Sequence, residues 1–372
     1  MRIAILSSST FPAALCDDPD GHIAFYGSEI YNAYLVQALS ENHDIGWWAP
    51  IMSSTFRDNP RVEYHPTKNS YGEHLNSELI EDVSFIHGET TSDLLEYDFI
   101  IDMTKFGHCV EELYYYNKLR RFLCYRSGHR DHLYPFRLPT HDRHYVLPNA
   151  SFVQLFANDG FPADYVQHYI PDFWCPADGP SEYWKFFEDR DVEWKNFYLF
   201  SHRTSLHKGL SLMMKLVKFM PDTNFVFSTS TMLREHLENW NKAVAMCKDY
   251  PNAKFIQCPM NSKYHFYRRE LLRGAKALMS PYSGDPYHDM GGYVSLECAQ
   301  SGTGIILADT PESRQIWGDD CDGKSLLYVD GFNSAKMAIQ HFDSYNIRGQ
   351  VAPGWTKADT VNKYMELFKK YS

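Results

Sequence analysis

The chain has 372 residues, 44% of them hydrophobic, with a formal net charge of −11. That length suits two cores rather than one, and the mean hydropathy of −0.44 fits a globular protein rather than a disordered or membrane-embedded one. The acidic balance opposes nonspecific binding of polyanions by the whole molecule, no apolar run approaches the roughly 18 residues of a membrane span, and eight scattered cysteines without a C-x-x-C pair argue against a zinc site or disulfide framework.

Residues 2–6 form a short apolar run, too short for the core of a signal peptide. It reads as a first buried strand, and a cytoplasmic protein is expected. A loop rich in Asp, Pro and Gly follows to Gly27. Ser28 is a plausible N-cap, and Tyr31, Tyr34, Leu35 and Ala38 lie at the i, i+3, i+4, i+7 spacing of an amphipathic helix. Residues 44–48, 97–102 and 122–125 read as further strands. The continuous centre Phe99-Ile100-Ile101 is typical of a parallel strand covered on both faces. Residues 152–156 open another unit, and 166–170 lead to Pro171, which marks the expected end of a first domain. In the second half, 196–200, 224–227, 254–257, 277–280 and 304–308 read as strands separated by helices. One of those helices carries Leu210, Met213, Met214 and Val217 on a core-facing side. The tail 356–371 is helical in pattern. Alternating strands and helices in two sets imply two doubly wound parallel sheets, whose ligands sit beyond the carboxyl ends of the strands.

Two motifs carry chemistry. Asp289-Met-Gly-Gly-Tyr-Val-Ser-Leu-Glu297 sets an acidic residue and a glycine pair before a helix, with a second acidic residue eight positions on. Backbone N–H groups at Gly291 and Gly292 suit an anion at a helix N-terminus, and Glu297 suits a diol such as ribose. Ser283 falls on the same strand–helix connection. About eighty residues upstream, Arg203-Thr-Ser-Leu-His-Lys208-Gly209 puts two cations on a loop between an apolar run and a helix. Two cations, a helix N-terminus and a diol-binding carboxylate describe a nucleotide-diphosphate site.

The pair of motifs resembles the donor site of GT-B glycosyltransferases, especially the large retaining group with an E-x7-E and a G-R-x4-K-G motif. Asp289 stands for the first Glu and His202 for the Gly before the Arg. The resemblance implies the GT-B fold, two Rossmann-like domains facing a cleft. Residues 1–172 would bind the acceptor, 173–345 the donor, and 346–372 would cross back to the first domain. It implies a retaining glycosyltransferase with no essential metal and no cofactor beyond the nucleotide-sugar donor itself. Arg203 and Lys208 would stabilise the leaving diphosphate, Glu297 would bind ribose, and Asp289 would contact the donor sugar or order its loop. A His of the first domain would touch the donor sugar, with His129 the best positional match and His108 the second. The loop around Gly27 would approach the donor phosphates, where a glycine allows close backbone contact.

The acceptor is read as the hydroxyl of a glycan or lipid. A second reading is hydroxymethylated pyrimidine in DNA, because the matching strings faintly resemble a phage DNA α-glucosyltransferase. Residues 117–144 also carry a net +5 from seven Lys and Arg against two Asp, including Arg121, Arg126 and Arg130. A third reading is a non-catalytic sugar-nucleotide-binding protein. The strings Asp18-Pro-Asp20, Asp189-Arg-Asp191 and Asp320-Cys-Asp322 follow no convincing strand and read as solvated turns rather than a metal clamp.

Overall fold

The structure is a computed structural model. It describes residues 1–7, 14–23, 27–49, 53–66, 94, 96–103, 122–125, 144–148, 150–158, 160–167, 169–202, 208–229, 234–281, 293–350 and 355–371. The chain divides into two compact units, one of Met1–Tyr169 with Gly354–Ser372 and one of Ile170–Pro353.

The first unit is built on seven parallel strands: β1 (Arg2–Leu6), β2 (Asp44–Ala49), β3 (Val62–Pro66), β4 (Phe99–Asp102), β5 (Phe122–Tyr125), β6 (His144–Leu147) and β7 (Ala163–Tyr165), in spatial order β3-β2-β1-β4-β5-β6-β7. Ile3 pairs with Ile45 on one side and Phe99 on the other. Being central, β1 has Ile3, Ala4, Ile5 and Leu6 without exposed surface, which is why it reads as an unbroken apolar run. Helix α1 (Gly27–Ser40) follows β1 and buries Tyr31, Tyr34, Leu35 and Ala38. It starts one residue before Ser28, so Ser28 is its second residue rather than its cap.

Residues 152–156 lie inside helix α2 (Ala150–Asn158), and the strand of that unit is β6, eight residues earlier in the chain. Strands β3, β6 and β7 did not stand out in the sequence. β3 is an edge strand ending in Pro66, whose missing N–H an edge tolerates. The last helix of the chain, Lys357–Tyr371, belongs to the first unit. Phe368 packs 4.5 Å from Phe99, Thr360 donates to the Gln167 carbonyl at 3.0 Å, and Lys370 and Tyr371 reach Asp164 at 2.9 and 2.8 Å.

The second unit has six parallel strands: β8 (Tyr198–Phe200), β9 (Phe225–Phe227), β10 (Ala253–Phe255), β11 (Ala277–Ser280), β12 (Gly304–Ala308) and β13 (Leu326–Val329), in order β10-β9-β8-β11-β12-β13. Helix α3 (Leu210–Phe219) buries Leu210, Met213, Leu216 and Val217, while Met214 is only partly buried at the edge of that cluster. Each fully buried side chain of this size contributes about 1.5–3 kcal/mol relative to its exposed state. Helices α4 (Arg234–Cys247) and α5 (Tyr264–Gly274) follow β9 and β10, and α6 (Tyr293–Gln300) follows β11. In both sheets the strand order reverses beside the first strand, between β1 and β4 and between β8 and β11. The carboxyl ends of those strands flank the crevice where doubly wound sheets hold ligands.

Candidate donor site

The loop from β8 into α3 and the segment after β11 meet through backbone. Gly209 caps α3 with φ 83° and ψ 14°, and its carbonyl accepts from the N–H groups of Leu212 and Met213 at 3.0 and 3.1 Å. A Cβ at Gly209 would lie 2.0 Å from the Pro281 carbonyl oxygen. Both the left-handed backbone and the close approach therefore require glycine. Lys208, directly before it, is 7% exposed. The Lys-Gly half of one motif is thus pressed against the chain that leaves β11 toward the other.

A line of side chains joins the same segments. His202, two residues beyond β8, has Nε2 2.8 Å from Ser280 Oγ at the end of β11, and Ser280 Oγ lies 3.2 Å from Ser295 Oγ in the first turn of α6. All three residues are buried. The residue that stands where the resembling motif has Gly thus contributes a ring to the packing between β8 and β11.

Glu297 is the fifth residue of α6 and is 0% exposed. Arg268 of α5 grips it with both arms of its guanidinium: Nη1 donates to Oε1 at 3.0 Å and Nη2 to Oε2. The guanidinium carbon lies 5.2 Å from the centroid of the Trp174 ring. Burial pushes the Glu297 carboxyl up and Arg268 opposes it, with burial the larger effect. A buried carboxylate needs such a partner. One N–H on each oxygen leaves further lone pairs on both, so the group retains the capacity to accept from a diol. Beside it on α5, Glu270 is 0% exposed, accepts from the Ser181 N–H at 2.9 Å and pairs with Arg273 at 3.1 Å. These contacts tie α5 to the irregular chain that enters the unit.

Of the residues expected from sequence, Lys208 and Glu297 are placed in this unit and Gly27 opens α1 of the other. Arg203, Asp289, Gly291, Gly292, Ser283, His129, His108, Arg121, Arg126 and Arg130 lie outside the described residues. Sequence reasoning missed Arg268, Ser280 and Ser295. For Arg268 a signal existed: with Tyr264 and Leu271 it occupies i, i+4, i+7 positions, so a charge interrupts a buried helical stripe.

The three D-x-D strings make protein contacts, two of them beyond their own turns, and Asp18 is buried rather than solvated. Asp18 and Asp20 lie with His22 in the one group of potential metal ligands found among the described residues, their ligand atoms within 4.8 Å of one another. Asp18 is committed to His22 at 2.8 Å and to the Asp20 N–H at 3.0 Å, and Asp20 accepts from the Ser54 N–H. Asp191 faces Lys254 at 3.7 Å, and Asp322 accepts from the Tyr328 N–H at 3.3 Å. No helix among the described residues is long and apolar enough to cross a membrane.

No protein-family model matches the chain, and no curated protein matches it. Solved structures do. A glycosyltransferase from Rickettsia africae superposes with a TM-score of 0.70 at 10% identity, over 100% of this chain and 98% of that one. Anabaena HepE in complex with UDP-glucose gives 0.65 at 11%, over 100% and 98%. The sucrose-phosphate synthase of Thermosynechococcus elongatus gives 0.62 at 11%, over 100% and 94%. The chain has the GT-B fold, with two α/β units on parallel sheets, as its sequence motifs imply.

Proposed function

We propose that the chain is a retaining glycosyltransferase that moves a sugar from a nucleotide-diphosphate sugar to an acceptor hydroxyl. The observation that carries this reading is the meeting of Lys208-Gly209 with Pro281 at the switch point of the second sheet. It sets Lys208-Gly209 of one sequence motif against the end of β11, from which the chain runs on to the other, and this supports a shared site in the GT-B fold. Lys208 and Arg203 would face the diphosphate, and the N–H groups of Gly291 and Gly292 would add donors at the start of α6. Glu297 would accept from the ribose hydroxyls, and Asp289 and His129 would contact the sugar. Support for the donor class comes from HepE, solved with UDP-glucose.

In the reaction the bond between the anomeric carbon and the diphosphate oxygen breaks, the acceptor oxygen takes its place and loses its proton, and the diphosphate departs with added negative charge. Arg203 would grip two oxygens and Lys208 would act as a point charge. Cations fixed where charge develops lower the barrier most, because their orientation is set before the reaction. The diphosphate is thereby held by protein groups without a metal.

The acceptor is a glycan or lipid hydroxyl in the first reading. The net +5 and the tyrosines of residues 114–144 favour a second, hydroxymethylated pyrimidine in DNA, which the enzyme would have to expose from the stack. The experiment is a thermal-shift panel of UDP-, GDP-, ADP- and TDP-sugars with the free nucleotides. A ligand of the native state raises the melting temperature by mass action. One nucleotide sugar should raise it clearly, and no rise with any of them would contradict the reading. A hit with no turnover on any acceptor, and no slow hydrolysis, would instead identify a non-catalytic sugar-nucleotide binder.

A further inference from the structure

Arg268 stood in neither sequence motif, yet its side chain is the partner of the one buried carboxylate assigned to donor binding. The fork geometry matters here. A lysine in its place would offer a single point charge and leave the carboxylate free to rotate. Two parallel N–H bonds instead fix the plane of the Glu297 carboxylate and fill one lone pair on each oxygen. Glu297 has no exposed surface, so burial favours its neutral form, and the bidentate guanidinium is the group that favours the charged one. Trp174, itself buried, backs the guanidinium from the chain that enters the unit.

We propose that Arg268 is a positioning residue of the donor site: it holds the Glu297 carboxylate charged and in one plane, so that both oxygens accept from the vicinal hydroxyls of a nucleoside ribose. This rests on the reading of Glu297 as the ribose acceptor. Arg268 acts through Glu297. Among the described residues, Cys298 on α6 feels Glu297, Arg268 and Lys195, Cys258 after β10 feels Arg268, and the buried His265 of α5 packs edge-on against Trp174, the ring that backs Arg268. Both thiols are held protonated by burial, Cys298 at about 12 and Cys258 at about 11, so neither changes charge near neutral pH.

The test is calorimetric titration of UDP-glucose, or of the nucleotide sugar that the panel identifies, at pH 6.0 and 8.5. Such a donor is a diphosphate diester with no phosphate proton to lose in that window. Wild type should change affinity by less than about threefold. Arg268→Gln removes the guanidinium from a buried carboxylate, which then takes up a proton as the pH falls. Its affinity should drop by at least about tenfold from pH 8.5 to 6.0. The double variant Arg268→Gln/Glu297→Gln should bind weakly at both pH values without that dependence. Arg268→Lys should bind more weakly than wild type at both, by about tenfold, because the charge remains but the plane is lost.

If Arg268→Gln fails to fold, Arg268→Lys decides: loss of affinity with an unchanged melting temperature supports the proposal, and wild-type affinity overturns it. A structural ion pair would shift melting in every variant while leaving the pH profile of binding as in wild type, and that result overturns the proposal too. Failure of wild type to bind any nucleotide sugar would remove the donor-site reading itself, which the variant series shows separately.

Discussion

The contact between Gly209 and Pro281 gives the sharpest test of how the site is held together. Alanine at Gly209 must adopt φ 83°, which costs about 1–2 kcal/mol for a residue with a Cβ. Its methyl would also meet the Pro281 carbonyl oxygen at 2.0 Å and the carbonyl carbon at 2.8 Å. Both are backbone atoms that cannot swing aside like the end of a side chain, and forced overpacking of this kind costs about 1–3 kcal/mol. The sum is roughly 2–5 kcal/mol, or about 5–15 °C of melting temperature for a unit of this size. Gly323→Ala is the control: Gly323 has φ 74° with nothing within 4 Å of a Cβ, so only the backbone strain of about 1–2 kcal/mol applies. Thermal melting of both variants, followed by nucleotide-sugar titration of whichever folds, reads the difference. Gly209→Ala should melt clearly below Gly323→Ala and bind donor more weakly, because the strained turn carries Lys208. Equal melting temperatures would refute the close approach of the two loops.

Other outcomes follow from the same geometry. Lys208→Ala and Arg203→Ala should each lower turnover by about 10²-fold or more, and near-normal rates would remove them from leaving-group stabilisation. Burial acts to raise Asp164, but Lys370, Tyr371 and His144 outweigh it and hold its carboxyl low, while burial pushes His144 down against the opposing pull of Asp164. Both groups bind fewer protons folded than unfolded, so this cluster's stability is full above about pH 6.5 and is lost as pH falls through the histidine and then the aspartate range. Asp164→Asn should remove the aspartate part of that acid branch in a melting-versus-pH series while leaving the histidine part, because His144 then loses the pull that opposes burial; an unchanged slope through the aspartate range would show that this carboxylate does not matter to stability. Cys258 and Cys298 should resist iodoacetamide at pH 8 in the native protein, as read by peptide mass spectrometry, because burial holds both thiols protonated; rapid labelling would contradict their burial. If residues 117–144 bind DNA, affinity should fall steeply with added salt, and a flat response would exclude a phosphate-dominated acceptor site.

How much was legible depended on whether a feature was local. β1, β11 and β12 are central, covered on both faces and unbroken in apolar sequence, so the pattern alone locates them. β7, with three half-buried residues, and the edge strand β3, with its Pro66, lack that pattern and became visible only through their pairing. Glu297 was legible because its motif repeats a known spacing. The signal for Arg268, its place in the Tyr264–Leu271 stripe, was masked by Arg269, Glu270 and Arg273 beside it, which make this stretch of helix read as solvated. Their burial comes from non-local partners: Glu297 on α6, Trp174, and backbone groups at Phe173, Cys175 and Ser181. His202 was read as a departure from a glycine motif, whereas its ring reaches Ser280 across the switch point. That contact requires two strands distant in sequence to lie side by side.

The most direct measurement is the initial rate of nucleoside-diphosphate release from the nucleotide sugar that the panel selects, with and without glycan, lipid or hydroxymethylated DNA acceptors, for wild type and Lys208→Ala. Leaving-group stabilisation by Lys208 predicts release by wild type that one acceptor class accelerates, reduced by about a hundredfold or more in the variant. No release by wild type under any condition, or equal release by both proteins, would contradict it.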